Sequence, residues 1–287
     1  MAASIINTLV QGVLIGGLYA LFALGLSLSV GVMRAVNVAH GDFIVLVSYL
    51  LLTIAARFEV NIFVALAVVL PITFLGGYVL QRYLLQYVTG KAVLAPLLVT
   101  FGLAIITQNG LLEAYGAYPM ILPGGKLETE VVSIFGFELG LMPLLTFAAA
   151  VGLIFLLDRL LYRSQLGSSI RAVSDDVAAA GLIGLSSNQV YALAMGIVGV
   201  TVAVAACFMG LRMNFDPSSG PSNLLIAFES VVLGGLGSLW GTLAGGIVLG
   251  IAQGIGGQID FAWQTLAGHL VFLLVLALRP QGLFPKY

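Results

Sequence analysis

Apolar residues run along this chain in long blocks broken by short polar stretches, without the two-residue alternation of a membrane barrel strand. A bilayer core takes about 20 residues of apolar helix. Nine blocks are candidates, at residues 5–32, 43–56, 62–80, 97–115, 139–157, 190–211, 224–236, 239–256 and 261–278. Backbone polar groups in lipid must be satisfied within their own segment, so the pattern predicts an all-α polytopic bundle of eight or nine transmembrane helices. The first block is long enough to bend. The seventh is short and glycine-rich, so it is expected to be broken or re-entrant.

Composition closes off the soluble alternative. Of 287 residues, 60% are hydrophobic and 8% charged, with a mean hydropathy of +1.12, against roughly 25% charged in soluble chains. The blocks leave no room for a soluble domain, so residues 1–287 form one transmembrane domain, with the longest polar loop at 164–188. A net charge of -1 offers nucleic acid no basic surface, and the single Cys207 allows neither an internal disulfide nor a cysteine metal cluster. The start of the chain lacks the basic residues of a signal peptide, so the first block is expected to remain as a membrane helix.

Lysine and arginine mark the cytoplasmic loops. Arg34, then Arg82 with Lys91, then Arg159, Arg163 and Arg171, then Arg279 with Lys286 fall on one side. Arg57 with Glu59, Lys126 with Glu128, Glu130 and Glu138, and Arg212 with Asp216 fall on the other. Nine crossings place the N-terminus outside and the C-terminus inside.

Within the 164–188 loop, Gly167, Arg171, Asp175 and Ala179 recur every four residues, which predicts one helical face with an Arg171–Asp175 pair. Gly181 or Gly184 can end that helix, and Ser186 with Gln189 has capping-box spacing for the next span. Such a helix is either a docking lever for a partner or a surface helix in the headgroups.

After the first block, Asn37, His40, Gly41 and Asp42 are expected to line a solute path, with Asn37 and His40 on one helix face. The plainer reading is that they cap the next helix. Gly234, Gly235 and Gly237 form a break whose backbone groups could meet a solute, while the GxxxG series at Gly12–Gly16, Gly237–Gly241–Gly245 and Gly246–Gly250–Gly254 suits close helix packing. Glu229 lies inside an apolar block, and an acid there points to a pore or a paired site. His269 reads as a packing residue. Motifs for zinc hydrolases, serine hydrolases and P-loop ATPases are missing, so the chain reads as neither an enzyme nor an ATPase.

Four stretches together resemble the permeases of branched-chain amino acid ABC importers, the H-type of the two Liv-type subunits. They are GLYALFALGLSLSVGVMRAVNVAHGDF at 17–43, GSSIRAVSDDVAAAGLIGL at 167–185, VVLGGLGSLWGTLAGG at 231–246 and RPQGLFPK at 279–286. The resemblance implies that 167–185 is a coupling helix docking into a separate ATPase. It also implies a complex in a bacterial-type plasma membrane: two permeases, related or identical, two ATP-binding subunits carrying the ATP and Mg, and an extracytoplasmic solute-binding protein. No cofactor is expected in this chain. The competing reading is a secondary transporter or channel for a small polar solute, using Glu229.

Overall fold

The computed structural model describes residues 2–89, 94–134 and 137–284. Its helices are α1 (Ala2–Met33), α2 (His40–Phe58), α3 (Ile62–Tyr83), α4 (Leu94–Tyr115), α5 (Leu141–Arg163), α6 (Gln165–Asp175), α7 (Val177–Leu182), α8 (Ser187–Arg212), α9 (Gly220–Gly234), α10 (Leu239–Ile259) and α11 (Phe261–Leu278). Eight of them are long and apolar enough to cross a membrane. The fold is an all-α polytopic bundle, and its apolar blocks are its helices.

The seventh block became α9, whose 15 residues reach about 22 Å at 1.5 Å per residue, short of a core about 30 Å thick. Pro221 opens it, and Gly235 at φ +100° ends it. The first block is one continuous helix of 32 residues. Two boundaries differ from the sequence pattern. Residues expected to begin the fifth span form instead an antiparallel hairpin, β1 (Val131–Ile134) with β2 (Phe137–Gly140), so α5 starts at Leu141. Helix α2 starts at His40, earlier than its apolar run, because its polar first turn is buried by other helices.

Helix α1 is the bundle's axis and is packed on most sides, whereas α11 lies at the periphery with only 6% of its span buried. Glycines set the closest approaches. A Cβ on Gly12 or Gly16 would press on the α10 backbone at Ile251 or Ile247, and one on Gly246 would lie 2.6 Å from the Gly16 carbonyl. The GxxxG series thus packs α1 against α10 backbone to backbone.

Contacts also fix which loops share an end. Ser174 of α6 donates to the Gly31 carbonyl at 2.8 Å, and Arg34 reaches the Ser174 carbonyl at 3.3 Å. Gly237 lies against Gly31, and Leu283 and Phe284 bond back to Leu233 and Gly234. Gly77 and Gly199 pack α3 antiparallel to α8, which brings Arg82 to the start of α8. Arg34, Arg82, Arg163, Arg171 and Arg279 therefore collect at one end of the bundle, while Lys91 and Lys286 lie outside the described residues. The opposite end joins the 116–140 loop to the α8–α9 link through Met120–Phe215 and Leu122–Gly210 bonds.

Candidate translocation path and candidate coupling segment

Two helices begin inside the bundle rather than at its surface. His40 donates from Nε2 to the Phe22 carbonyl at 2.8 Å. Phe22 lies eleven residues before Met33, the end of α1, which is about 16 Å along that helix. The first turn of α2 therefore sits deep in the membrane region, with residues 34–39 folding inward to reach it. The first turn of α9 meets it there: a Cβ on Gly41 would overlap the Gly220 carbonyl, and one on Gly220 would overlap the Asp42 carboxylate. Asp42 accepts a hydrogen bond from Gln108 of α4 at 2.8 Å, and Asn223 lies one turn further along α9. His40, Gly41 and Asp42 are thus brought together with Gln108 and Gly220, which sequence spacing had not singled out. A glutamine inside an apolar block was the available signal.

Asn37 is buried but is not on a helix face with His40, since α2 starts three residues later. Its Oδ1 accepts from the Ala39 N–H at 3.0 Å, closing a turn, while its Nδ2 has no partner among the described residues. The next residue, Val38, donates to Thr100 Oγ1 at 3.1 Å, tying the inward loop to α4.

Glu229 of α9 is 2% exposed. His269 does more than pack: its Nδ1 meets Glu229 Oε1 at 2.5 Å, while Oε2 of the acid is buried without a partner among the described residues. Spacing could not reveal the pair, because forty residues separate its members. Nearby, the Tyr19 hydroxyl donates to Gln253 Oε1, so α1 and α10 carry polar groups to the same layer.

The break at 234–238 has Gly235 at φ +100° and Gly237 at +79°. Gly234 lets α9 touch α10 at Gly241, and Gly237 lets the turn touch α1 at Gly31. Ser238 then caps α10 by accepting from the Gly241 N–H. Gly237, Arg171 and Asp175 line one cavity of about 250 Å³ between α1, α5 and α6, so the break and the 164–188 segment are neighbours.

That segment is two helices. Asp176 accepts from the N–H groups of Ala178 and Ala179, restarting the chain as α7, so Ala179 does not continue the face of Gly167, Arg171 and Asp175. The expected Arg171–Asp175 pair is not formed. Arg171 instead stands over the Tyr162 ring, 5.1 Å from its centre. Gly167 is pressed on the Leu160 and Leu161 carbonyls, and Gly184 at φ +85° turns the chain out of α7. Ser186 precedes α8 without a side-chain capping bond. Exposed Ala179, Leu182 and Ile183 leave α7 as an uncovered apolar tip. On the opposite side, burial works to raise the pKa of Asp216, but hydrogen bonds from Ser218 and Ser219 outweigh it and hold the carboxyl below its usual value.

Eight candidate spans, a shortened helix that starts inside the bundle, and polar side chains brought into its interior by α1, α2, α4, α9, α10 and α11 define a polytopic membrane transport protein. Residues 8–278 match the family described as branched-chain amino acid transport system / permease component, and the chain belongs to that family. It is 30% identical to the high-affinity branched-chain amino acid transport system permease protein BraD of Pseudomonas aeruginosa, over 98% of this chain and 96% of that one. It is 28% identical to the permease protein LivH of the same kind of system in Escherichia coli, over 96% and 94%. The fold is similar to that of PsaBC from Streptococcus pneumoniae, solved with a Fab, with a TM-score of 0.51 at 12% identity over 98% and 97% of the two chains.

Proposed function

We propose that this chain is the permease subunit of an ATP-driven importer in a bacterial-type plasma membrane and forms half of a translocation path for branched-chain or closely related amino acids. A second permease, two ATPases that hold the ATP and Mg, and an extracytoplasmic binding protein complete the transporter. Family membership across nearly the whole chain supports this reading.

The observation that carries the mechanism is the shared cavity of Gly237, Arg171 and Asp175. An ATPase gripping the exposed tip of α7 would move α6, and α6 bears directly on α1 and on the break between α9 and α10. Displacement there shifts α9, whose other end closes on Asp42. Force at the cytoplasmic surface thereby reaches the polar layer through one short, rigid helix. Asn37, His40, Gly41, Asp42 and Glu229 are the groups proposed to face solute when that layer opens, beside Gly234, Gly235 and Gly237 of the break.

Reconstitution of the assembled complex in proteoliposomes tests the reading. Leucine uptake is expected only with internal ATP and external binding protein. Uptake driven by an ion gradient, without the ATPases, would establish the secondary-transporter alternative built on Glu229.

A further inference from the structure

At the end of the bundle away from α6 and α7, helices α1, α8, α10 and α11 surround an open cavity of about 360 Å³. Pockets for small ligands start near this size. Arg212 enters it from the end of α8, and the other polar side chains around it include Asn7, Gln11, Gln253, Gln258 and Gln264. Gly12, Gly250 and Gly254 leave its wall without side chains.

Arg212 is the telling residue. A guanidinium has five N–H donors, yet here Nη1 makes one long bond, to the Leu14 carbonyl at 3.4 Å. Among the described residues the ion pair formed is that of His269 and Glu229, so no carboxylate neutralises Arg212. A cation held against membrane helices is costly and is ordinarily paired. The planar guanidinium fork matches a carboxylate through two parallel hydrogen bonds. The surrounding amides supply what an arginine does not, namely carbonyl oxygens that accept from an ammonium. One cation with neutral amides is complementary to a zwitterion, whereas a simple anion would leave the amide oxygens unused.

We propose that this cavity is an extracytoplasmic intake subsite for a free α-amino acid. Arg212 takes the carboxylate, and the carbonyls of Gln11, Gln258 and Gln264 take the ammonium. Gln253, fixed by Tyr19, forms the floor through which the solute passes toward the Glu229–His269 layer. The inference rests on the amino acid importer reading and adds the site at which this chain itself receives the solute.

The test uses the purified permease–ATPase complex without binding protein, in phosphatidylcholine nanodiscs, with thermal unfolding as readout. Millimolar leucine is expected to raise the melting temperature of the wild type, and leucinamide, which lacks the carboxylate, is not. Arg212→Gln should abolish the leucine shift, and Arg212→Lys should keep part of it. If Arg212→Gln does not assemble, the contrast of leucine with leucinamide in the wild type and in Arg212→Lys decides alone. No leucine shift in the wild type, an equal shift with leucinamide, or a full shift in Arg212→Gln overturns the proposal. So does an Arg212-dependent shift produced by phosphatidylglycerol but not by leucine, which would make the cavity a lipid headgroup site. Uptake in proteoliposomes separates the two readings: wild type that binds leucine here but does not import it sinks the importer reading and not this subsite.

Discussion

Gly41 and Gly220 let the first turns of α2 and α9 meet backbone to backbone, so a methyl group there has nowhere to go. Gly41→Ala is expected to lower stability by about 1–3 kcal/mol, the usual cost of overpacking. Gly76→Ala is the control, since a Cβ at Gly76 meets nothing within 4 Å; it should be neutral or stabilise by roughly 0.5–1 kcal/mol through helix propensity. Thermal unfolding of the detergent-purified complex checks both, and equal losses would refute the packing account. At the Glu229–His269 pair, His269→Ala leaves the buried Glu229 carboxyl without its hydrogen-bond partner. Leaving a buried polar group without its partner costs about 1–3 kcal/mol, and the 32% exposure of the His269 side chain places this case at the lower end. Adding Glu229→Gln should restore part of the loss, because an amide costs less than a carboxylate to bury. A double variant as unstable as the sum of the singles would show that the two residues are not coupled.

The apolar blocks became helices because length and hydrophobicity alone specify a membrane span, and no tertiary partner is needed to read them. The start of α2 was not legible in the same way. Asn37, His40 and Asp42 have the composition of a solvated loop, and only Phe22, Gln108 and Gly220, distant in sequence, make their burial affordable. The 164–188 segment fails differently. A four-residue repeat from Gly167 to Ala179 reads as one helix, but Asp176 competes for the backbone by accepting from Ala178 and Ala179, as short polar side chains do at helix starts. Asp176→Ala should cost about 1 kcal/mol of local helix stability, seen as faster amide exchange at Ala178 and Ala179 without a change in the melting of the spans. For coupling, Ala179→Trp crowds the exposed face of α7. It is expected to abolish ATPase co-purification and leucine uptake while the permease itself stays folded. Wild-type values for both would remove α7 from the transmission path.

Across the whole molecule, the placement of arginines at one end and the shortened α9 together decide which way the chain faces and how often it crosses. The end carrying Arg34, Arg163, Arg171 and Arg279 is expected to be cytoplasmic by the positive-inside bias. Helix α8 runs from that end to the other, and α9 begins inside the bundle and returns to Gly31. The link at 213–219 can supply the depth that α9 lacks, so a ninth traverse is expected although eight helices among the described residues are long enough to span. Helix α10 then leads outward, and its turn into α11 lies outside. Had α9 turned back to the side it came from, that turn would be cytoplasmic. Cysteine labelling separates the two cases with little background, because the single native cysteine, Cys207, is fully buried. Leu182 and Phe261 are 90% and 87% exposed and stand at opposite ends. A membrane-impermeant maleimide on cells with a permeabilised outer barrier is expected to label Phe261→Cys and spare Leu182→Cys, and inside-out vesicles should reverse the pattern. Labelling of both from one side would mean that α9 does not carry the chain across. The Arg212 cavity, which opens at the same end as Phe261, would then lose its extracytoplasmic place.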